Sequence, residues 1–271
     1  MNVMQSIKIS FFLVVFFAQD IQAQNPFTTI SLNNLSAFKD PGKNWIIASD
    51  AVADMNKQHN LKPVKGEGVV VNNFERNNWM HLVTNEEFGD IELELDFMMA
   101  ENSNSGVYLQ GRYEIQLLDS WTRLDPTFSD AGAVYARWTP EKGTFEGTPP
   151  VMNVAKAPGL WQHLDIRFRA PRFNNNGEKI ENARFEAVTL NGVLILEEIE
   201  VTGSTTSHMF EGEQAKGPLV LQGDHGPVAF KNIRYRPLAE EPPGPPRDEY
   251  WIPKSKYWNT VDPIIIKAGA K

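Results

Sequence analysis

Polar and apolar residues alternate along residues 104–120, which predicts a β-strand with one buried face. The apolar face carries Val107, Leu109, Tyr113, Ile115 and Leu117. The other face carries a phenol, two amides, a guanidinium and a carboxylate, from Tyr108, Gln110, Arg112, Glu114 and Gln116. Such groups hydrogen-bond sugar hydroxyls, so this face is a candidate carbohydrate site on a concave sheet. A polar outer face on a sandwich strand is the alternative interpretation.

Asp119 lies three positions after Gln116, so a regular strand would direct its side chain to the apolar face. One β-bulge would return the carboxylate to the side of Glu114 and Gln116, and bulges are common next to active sites. The sequence therefore predicts a bulged acidic strand that carries a second carboxylate beside Glu114.

Strand patterns recur along most of the chain, and helical patterns are scarce. Residues 50–60 are predicted to form a helical turn, and the proline-rich residues 125–159 form a long loop, a type of segment that is usually functional. The Asn191-Gly192 pair predicts a type I′ hairpin turn. Further strands are predicted at residues 45–48, 68–72, 91–99, 164–169, 185–190, 193–197, 219–222 and 228–235. Hairpin spacing of this kind predicts an all-β protein, a two-sheet antiparallel sandwich.

Composition narrows the functional classes. The 271 residues are 41% hydrophobic, enough for one large β domain, and the net charge of −8 argues against nucleic acid as a partner. The chain has no cysteine, which excludes disulfides, thiolate chemistry and a lipoprotein anchor. Its five histidines show no paired metal-binding spacing, so neither a metal nor another cofactor is predicted.

The ends of the chain differ from its centre. Residues 1–23 combine Lys8, an apolar run over residues 9–18 and Ala23, which predicts a signal peptide and a secreted or periplasmic protein. That run is too short for a confident membrane span, so no membrane anchor is predicted. The mature domain is predicted over residues 24–238. Residues 239–271 form a proline-rich, aromatic tail that we expect to pack on the domain.

Eight motifs in one order resemble the 3-keto-disaccharide hydrolase family, long listed as a domain of unknown function. The central motif is Asn-Ser-Gly-Val-Tyr-Leu-Gln-Gly at residues 104–111, followed by Tyr-Glu-Ile-Gln-Leu-Leu-Asp-Ser at residues 113–120. The resemblance covers roughly residues 32–238. The other motifs lie at residues 88–93, 132–135, 149–154, 158–162, 170–173, 190–193 and 217–226.

The resemblance implies a jelly-roll sandwich of the concanavalin-like lectin and glucanase type. It also implies a 3-keto-disaccharide or 3-keto-glycoside substrate, whose C3 carbonyl acidifies the hydrogen on C2. A base could then remove this proton and expel the group on C1, after which water adds back. A carbohydrate-binding module without catalysis remains a second hypothesis. A conventional glucan hydrolase is a third, although Gln116 replaces the middle acid of the laminarinase-type pattern.

Within this resemblance Glu114 is the first catalytic candidate, with Asp119 as a possible second carboxylate. His225 is an alternative base that Asp224 could orient, and Arg112 could stabilise the enolate oxygen. A structural Arg112–Glu114 ion pair and a structural His225 are the competing interpretations. The candidate substrate-binding residues are Tyr108, Gln110, Arg112, Gln116, Tyr135, Gln222 and Asp224.

Aromatic side chains are assigned to two different roles. Tyr108, Tyr135 and Trp138 are candidates for a stacking platform, because an aromatic face can cover the C–H surface of a sugar ring. The tryptophans at positions 45, 79 and 161 are instead expected in the core.

Overall fold

A computed structural model describes residues 25–239 of the chain. The predicted signal peptide and nearly all of the predicted C-terminal tail lie outside this range. Within this range every regular element is a strand, and no helix that could cross a membrane is found there.

Seventeen strands make up the described part of the chain. They are β1 (Thr28–Thr29), β2 (Phe38–Lys39), β3 (Trp45–Ala53), β4 (Leu61–Asn72), β5 (Leu82–Phe88), β6 (Ile91–Met99), β7 (Asn104–Leu109), β8 (Tyr113–Leu118), β9 (Arg137–Thr139), β10 (Gly143–Phe145), β11 (Gln162–Arg169), β12 (Arg172–Phe173), β13 (Lys179–Glu181), β14 (Ala183–Leu190), β15 (Val193–Val201), β16 (Gly217–Leu221) and β17 (Val228–Pro237).

Two antiparallel sheets form the body of the domain. The larger has the order β15-β14-β11-β6-β17-β4-β3, with β1 paired to β17, and the smaller has the order β2-β5-β16-β7-β8. Two short hairpins, β9–β10 and β12–β13, lie outside these sheets. The predicted all-β jelly-roll sandwich is therefore confirmed.

The core lies between the sheets, where alternate residues of facing strands meet. From the smaller sheet Val107, Leu109, Ile115 and Leu117 are at most 2% exposed, and they belong to the same apolar cluster as alternate residues of β6. Each such side chain contributes about 1.5–3 kcal/mol when it is fully buried. The period-two pattern thus assigned the apolar core face correctly, whereas the polar face, which was expected to line an open concave side, is buried as well.

The Asn191-Gly192 turn is confirmed, with positive φ at both residues (53° and 81°) between β14 and β15. The helical turn predicted at residues 50–60 is wrong. Asp50 to Ala53 continue β3 and pair with residues 61–64 of β4, so backbone pairing prevails over the weak helical pattern. Trp79 is also misassigned to the core, because it is 40% exposed.

The long segment 125–159 covers the free edge of β8. The backbone of Tyr135 donates a hydrogen bond to Glu114 (3.1 Å), and that of Gln116 donates one to Ala133 (2.9 Å). An otherwise open strand edge is thereby closed, which is a common protection of sheet edges.

Candidate active site

The polar face of residues 104–120 lies on a hairpin, which corrects the prediction of one continuous strand. Strands β7 and β8 are joined by a tight turn in which Gln110 and Gly111 have φ of 55° and 63°. Positive φ at both central residues is the type I′ geometry, and it needs a residue such as glycine at one position. The hairpin register sets Tyr108 directly opposite Glu114.

Glu114 is a buried member of this polar face, at 3% exposure, and is hydrogen-bonded to Tyr108. Burial raises the pKa of its carboxyl to about 8, with a smaller contribution from the charge of Asp224 and an opposing one from the Tyr108 bond. The group is therefore largely protonated at pH 7. The alternative Arg112–Glu114 ion pair does not form, because Arg112 bonds elsewhere.

The loop between β16 and β17 brings Asp224 and His225 to the same site. A bend at residues 224–226 turns the two neighbouring side chains together, with 2.7 Å between Asp224 Oδ1 and His225 Nδ1. This pairing raises the pKa of His225, and against the effect of burial it lowers the pKa of Asp224. The side chain of His225 is 54% exposed, which makes it the titratable group of this cluster that most clearly faces solvent.

His81, which the sequence analysis did not select, is the third member of this polar cluster. Its Nδ1 accepts a hydrogen bond from the backbone N–H of Gly223 (3.1 Å), so the neutral ring carries its proton on Nε2. Burial lowers its pKa, as does the charge of His225, whereas Asp224 opposes the shift. The exposed ring of Trp79 lies 5.3 Å from the imidazole.

A local sequence pattern gave no sign of this arrangement, since His81 precedes β5 and lies more than 140 positions from Gly223. The pairing of β5 with β16, together with the hydrogen bond from the Gly223 backbone N–H to the His81 side chain, brings the two loops together.

Gln110 and Arg112 have contacts that differ from those expected. Gln110 donates to the carbonyls of Phe88 and Ala215, and Arg112 donates to those of Gln110, Glu211 and Gly212. Both side chains are at least 94% buried. Both side chains stabilise the loop that precedes β16. This structural role explains why polar residues occupy these positions even if they contact no sugar.

Asp119 does not return to the site, because the β7–β8 register contains no bulge. Its Oδ2 instead accepts the backbone N–H of Asn102 (2.8 Å), which stabilises the turn between β6 and β7. The prediction of a bulged acidic strand is therefore wrong. Strand β8 therefore does not present two neighbouring carboxylates to the site, as the glucanase pattern would require.

The remaining substrate-binding candidates lie around Glu114. Gln116 follows it on β8, and Gln222 donates its backbone N–H to Gly106, opposite Gln116. The side-chain oxygens of both amides are buried with no hydrogen-bond partner among residues 25–239. Tyr135 is half-buried, and its ring packs edge-on against Phe128 at 5.9 Å.

A possible metal-binding group lies elsewhere. Glu94, His163 and Asp165 place one ligand atom each within 4.8 Å of one another, on β6 and β11 of the larger sheet. The imidazole of His163 is already bonded to Asp96 (2.6 Å) and to Asp165 (3.1 Å). This cluster has its hydrogen bonds satisfied by protein groups.

The fold and the family match define a jelly-roll domain of a carbohydrate-active family. Residues 31–236 match the model of the 3-keto-alpha-glucoside-1,2-lyase-like domain, and the chain belongs to that family. This confirms the family identified from the sequence motifs. No curated protein sequence matches the chain.

A solved structure shows the same fold. A candidate glycosyl hydrolase from Parabacteroides distasonis ATCC 8503 is 21% identical, with a TM-score of 0.54 over 83% of this chain and 95% of that one. A second candidate glycosyl hydrolase from the same organism is 20% identical, with a TM-score of 0.48 over 79% of this chain and 100% of that one.

Proposed function

We propose that this protein cleaves 3-keto-glycosides by elimination across C1 and C2, and that addition of water then completes a net hydrolysis. The family match supports this substrate class. The observation that carries the proposal is the pairing of a solvent-facing imidazole, His225, with Asp224, within electrostatic reach of the buried Glu114.

The chemistry follows from the C3 carbonyl. A base removes the C2 proton, and the electron pair of the C2–H bond forms an enolate whose charge lies on the C3 oxygen. The enolate collapses to a C1–C2 double bond as the C1–O bond breaks, and the departing oxygen takes up a proton. Water then adds a hydroxyl to C1 and a hydrogen to C2, without any oxidant or reductant.

The base in this proposal is His225 in its neutral form. Asp224 holds Nδ1, which leaves Nε2 of the exposed ring to accept the C2 proton. The neutral His81 carries its proton on Nε2, and we propose that it stabilises the enolate oxygen. The sequence analysis had assigned this role to Arg112.

Glu114 is the proton donor to the leaving oxygen. Its raised pKa keeps the carboxyl protonated at neutral pH, which suits an acid. We assign the transfer of this proton to the hydroxyl of Tyr108, which is hydrogen-bonded to Glu114.

The pH dependence of turnover separates the two possible roles of Glu114. As an acid it must be protonated, so the rate falls as the carboxyl ionises near pH 8. As a base it must be ionised, so the rate rises over the same range. A bell-shaped profile supports the acid role, and a profile that only rises contradicts it.

Incubation of the purified protein with an oxidised 3-keto disaccharide, followed by mass spectrometry of the products, tests the activity itself. Glu114→Gln and His225→Asn should each lower turnover by about 10²–10⁴-fold, the range for a positioned acid or base. The exposed Glu67→Gln is the matched control and should retain full activity. Turnover near that of the unmodified protein in Glu114→Gln would show that this carboxyl is not used.

A binding module without catalysis is the second candidate, and the burial of Glu114 favours it. Binding of a 3-keto disaccharide with no product in any variant would establish this function. Cleavage of an unoxidised glucan would instead support a conventional hydrolase, which the absence of a second carboxylate on β8 disfavours.

A further inference from the structure

A cavity of about 380 Å³ opens at the turn end of the β7–β8 hairpin, away from the candidate active site. Gly217 lines this cavity, whereas Gln222, five residues further along the same chain segment, belongs to the active site. Five strand residues span roughly 17 Å, so the cavity and the Asp224–His225 pair lie at opposite ends of β16.

Three cationic side chains and one carboxylate line the cavity, from Lys39, Arg112, Lys216 and Glu87. The whole chain has a net charge of −8, so this local excess of positive charge runs against the overall balance. No carboxylate of residues 25–239 lies within ion-pair distance of any of the three cations.

Arg112 is the buried member of this set, at 6% exposure. Three of the five N–H donors of its guanidinium bond to backbone carbonyls, so two donors are left for a ligand. Glu213, the carboxylate whose charge acts on it most strongly, is already bound to Lys179 and Tyr113. A buried cation is normally paired with an anion, and here the hydrogen-bond partners of Arg112 are backbone carbonyls.

We propose that this cavity binds a small oxyanion, a carboxylate or a phosphate group, between Arg112, Lys39 and Lys216. A guanidinium presents its donors in a fork that fits two oxygens of such a group, and the two lysines add mobile donors from the exposed rim. The ring of Phe210, 5.7 Å from the guanidinium carbon, forms an apolar wall beside the charge.

Calorimetric titration of the full-length protein with inorganic phosphate, and separately with glucuronate, tests this site at low ionic strength. We expect saturable binding of at least one probe, which also tells a phosphate ligand from a carboxylate one. The double variant Lys39→Ala/Lys216→Ala should weaken binding by about tenfold or more, the expected loss for charge-assisted hydrogen bonds.

Two controls make the result decisive. Lys62→Ala/Lys65→Ala removes the same charge from an exposed part of β4 and should bind as the unmodified protein does. Glu114→Gln should also bind normally, because Glu114 does not line the cavity. The proposal is overturned by the absence of saturable binding, by equal weakening in both double-lysine variants, or by loss of anion binding in Glu114→Gln.

Discussion

The carboxylate of Glu114 occupies the space that a side chain at position 106 would need. A Cβ built on Gly106 would come within 2.2 Å of Glu114 Oε1, far inside contact distance. The two residues lie on adjacent strands of the hairpin, and Gly106 is two residues from Tyr108, the direct partner of Glu114. Glycine at position 106 therefore lets Glu114 lie flat over the neighbouring strand and bond to Tyr108.

Gly106→Ala should displace the Glu114 carboxylate and lower turnover of a 3-keto-glycoside by tenfold or more, while the sheet remains folded. The control is Gly89→Ala, where the added Cβ would come no closer than 3.3 Å to a neighbour. Turnover and melting temperature are to be measured on both proteins. Unchanged turnover in Gly106→Ala would mean that the position of this carboxylate does not matter to the reaction.

Glu114→Gln should change how stability depends on pH. The folded protein holds a proton on Glu114 up to about pH 8, whereas the unfolded chain releases it near 4.5. Between these values the folded state binds more protons, so stability falls as pH rises, by at most about 1.4 kcal/mol per pH unit. The glutamine variant lacks this loss, and urea unfolding at several pH values should show its profile to be flatter. Parallel profiles would contradict the raised pKa.

Asp224→Asn should move the pH profile of turnover towards lower pH. Asp224 raises the pKa of His225 and also that of Glu114, so its neutralisation lowers both. The acidic limb should shift towards lower pH, because His225 loses the adjacent charge that raises its pKa. The exposed Asp125→Asn is the control and should leave both limbs in place. An unshifted acidic limb would exclude His225 as the titrating base.

Asn191→Ala should destabilise the domain without a direct effect on the reaction. Asn191 adopts positive φ in the β14–β15 turn and also bonds to His163 and Val154. Asn191→Gly loses the same side-chain bonds but tolerates the backbone geometry. The alanine variant should therefore be less stable than the glycine variant by about 1–2 kcal/mol, measured by urea unfolding. A selective loss of turnover at unchanged stability would contradict the purely structural role.

Exported protein should begin at Gln24, because residues 1–23 carry the features of a cleaved signal peptide. Intact-mass measurement of protein recovered from the periplasm or the medium checks this. A mass that includes Met1 would show that the segment is retained. A change of Lys8 to glutamate should reduce export, since the positive charge before the apolar run would be lost.

The alternation of residue types determined the fold class and the inner face of most strands. Apolar side chains two residues apart must share a face, so Ile91, Leu93 and Leu95 of β6 identify the core without any knowledge of their partners. The Asn191-Gly192 turn was likewise readable, because few residue pairs tolerate positive φ at both positions.

Tertiary structure alone decided which polar groups meet. A period-two pattern is the same for one long strand and for two strands joined by a tight turn, so it could not show that Tyr108 faces Glu114. The sequence also could not show that Arg112 serves the loop before β16. Its partners are backbone carbonyls about a hundred positions away, which carry no residue signature.

The tertiary structure also determines the polar cluster of the active site. His81 and Asp224 come from loops far apart in the chain, and the packing of β5 against β16 brings those loops together. Burial is the largest influence on the pKa of Glu114, and the Tyr108 hydrogen bond and the charge of Asp224 also affect it, all of which depend on the fold. The sequence supplied the residue types, and long-range packing determined their contacts and charge states.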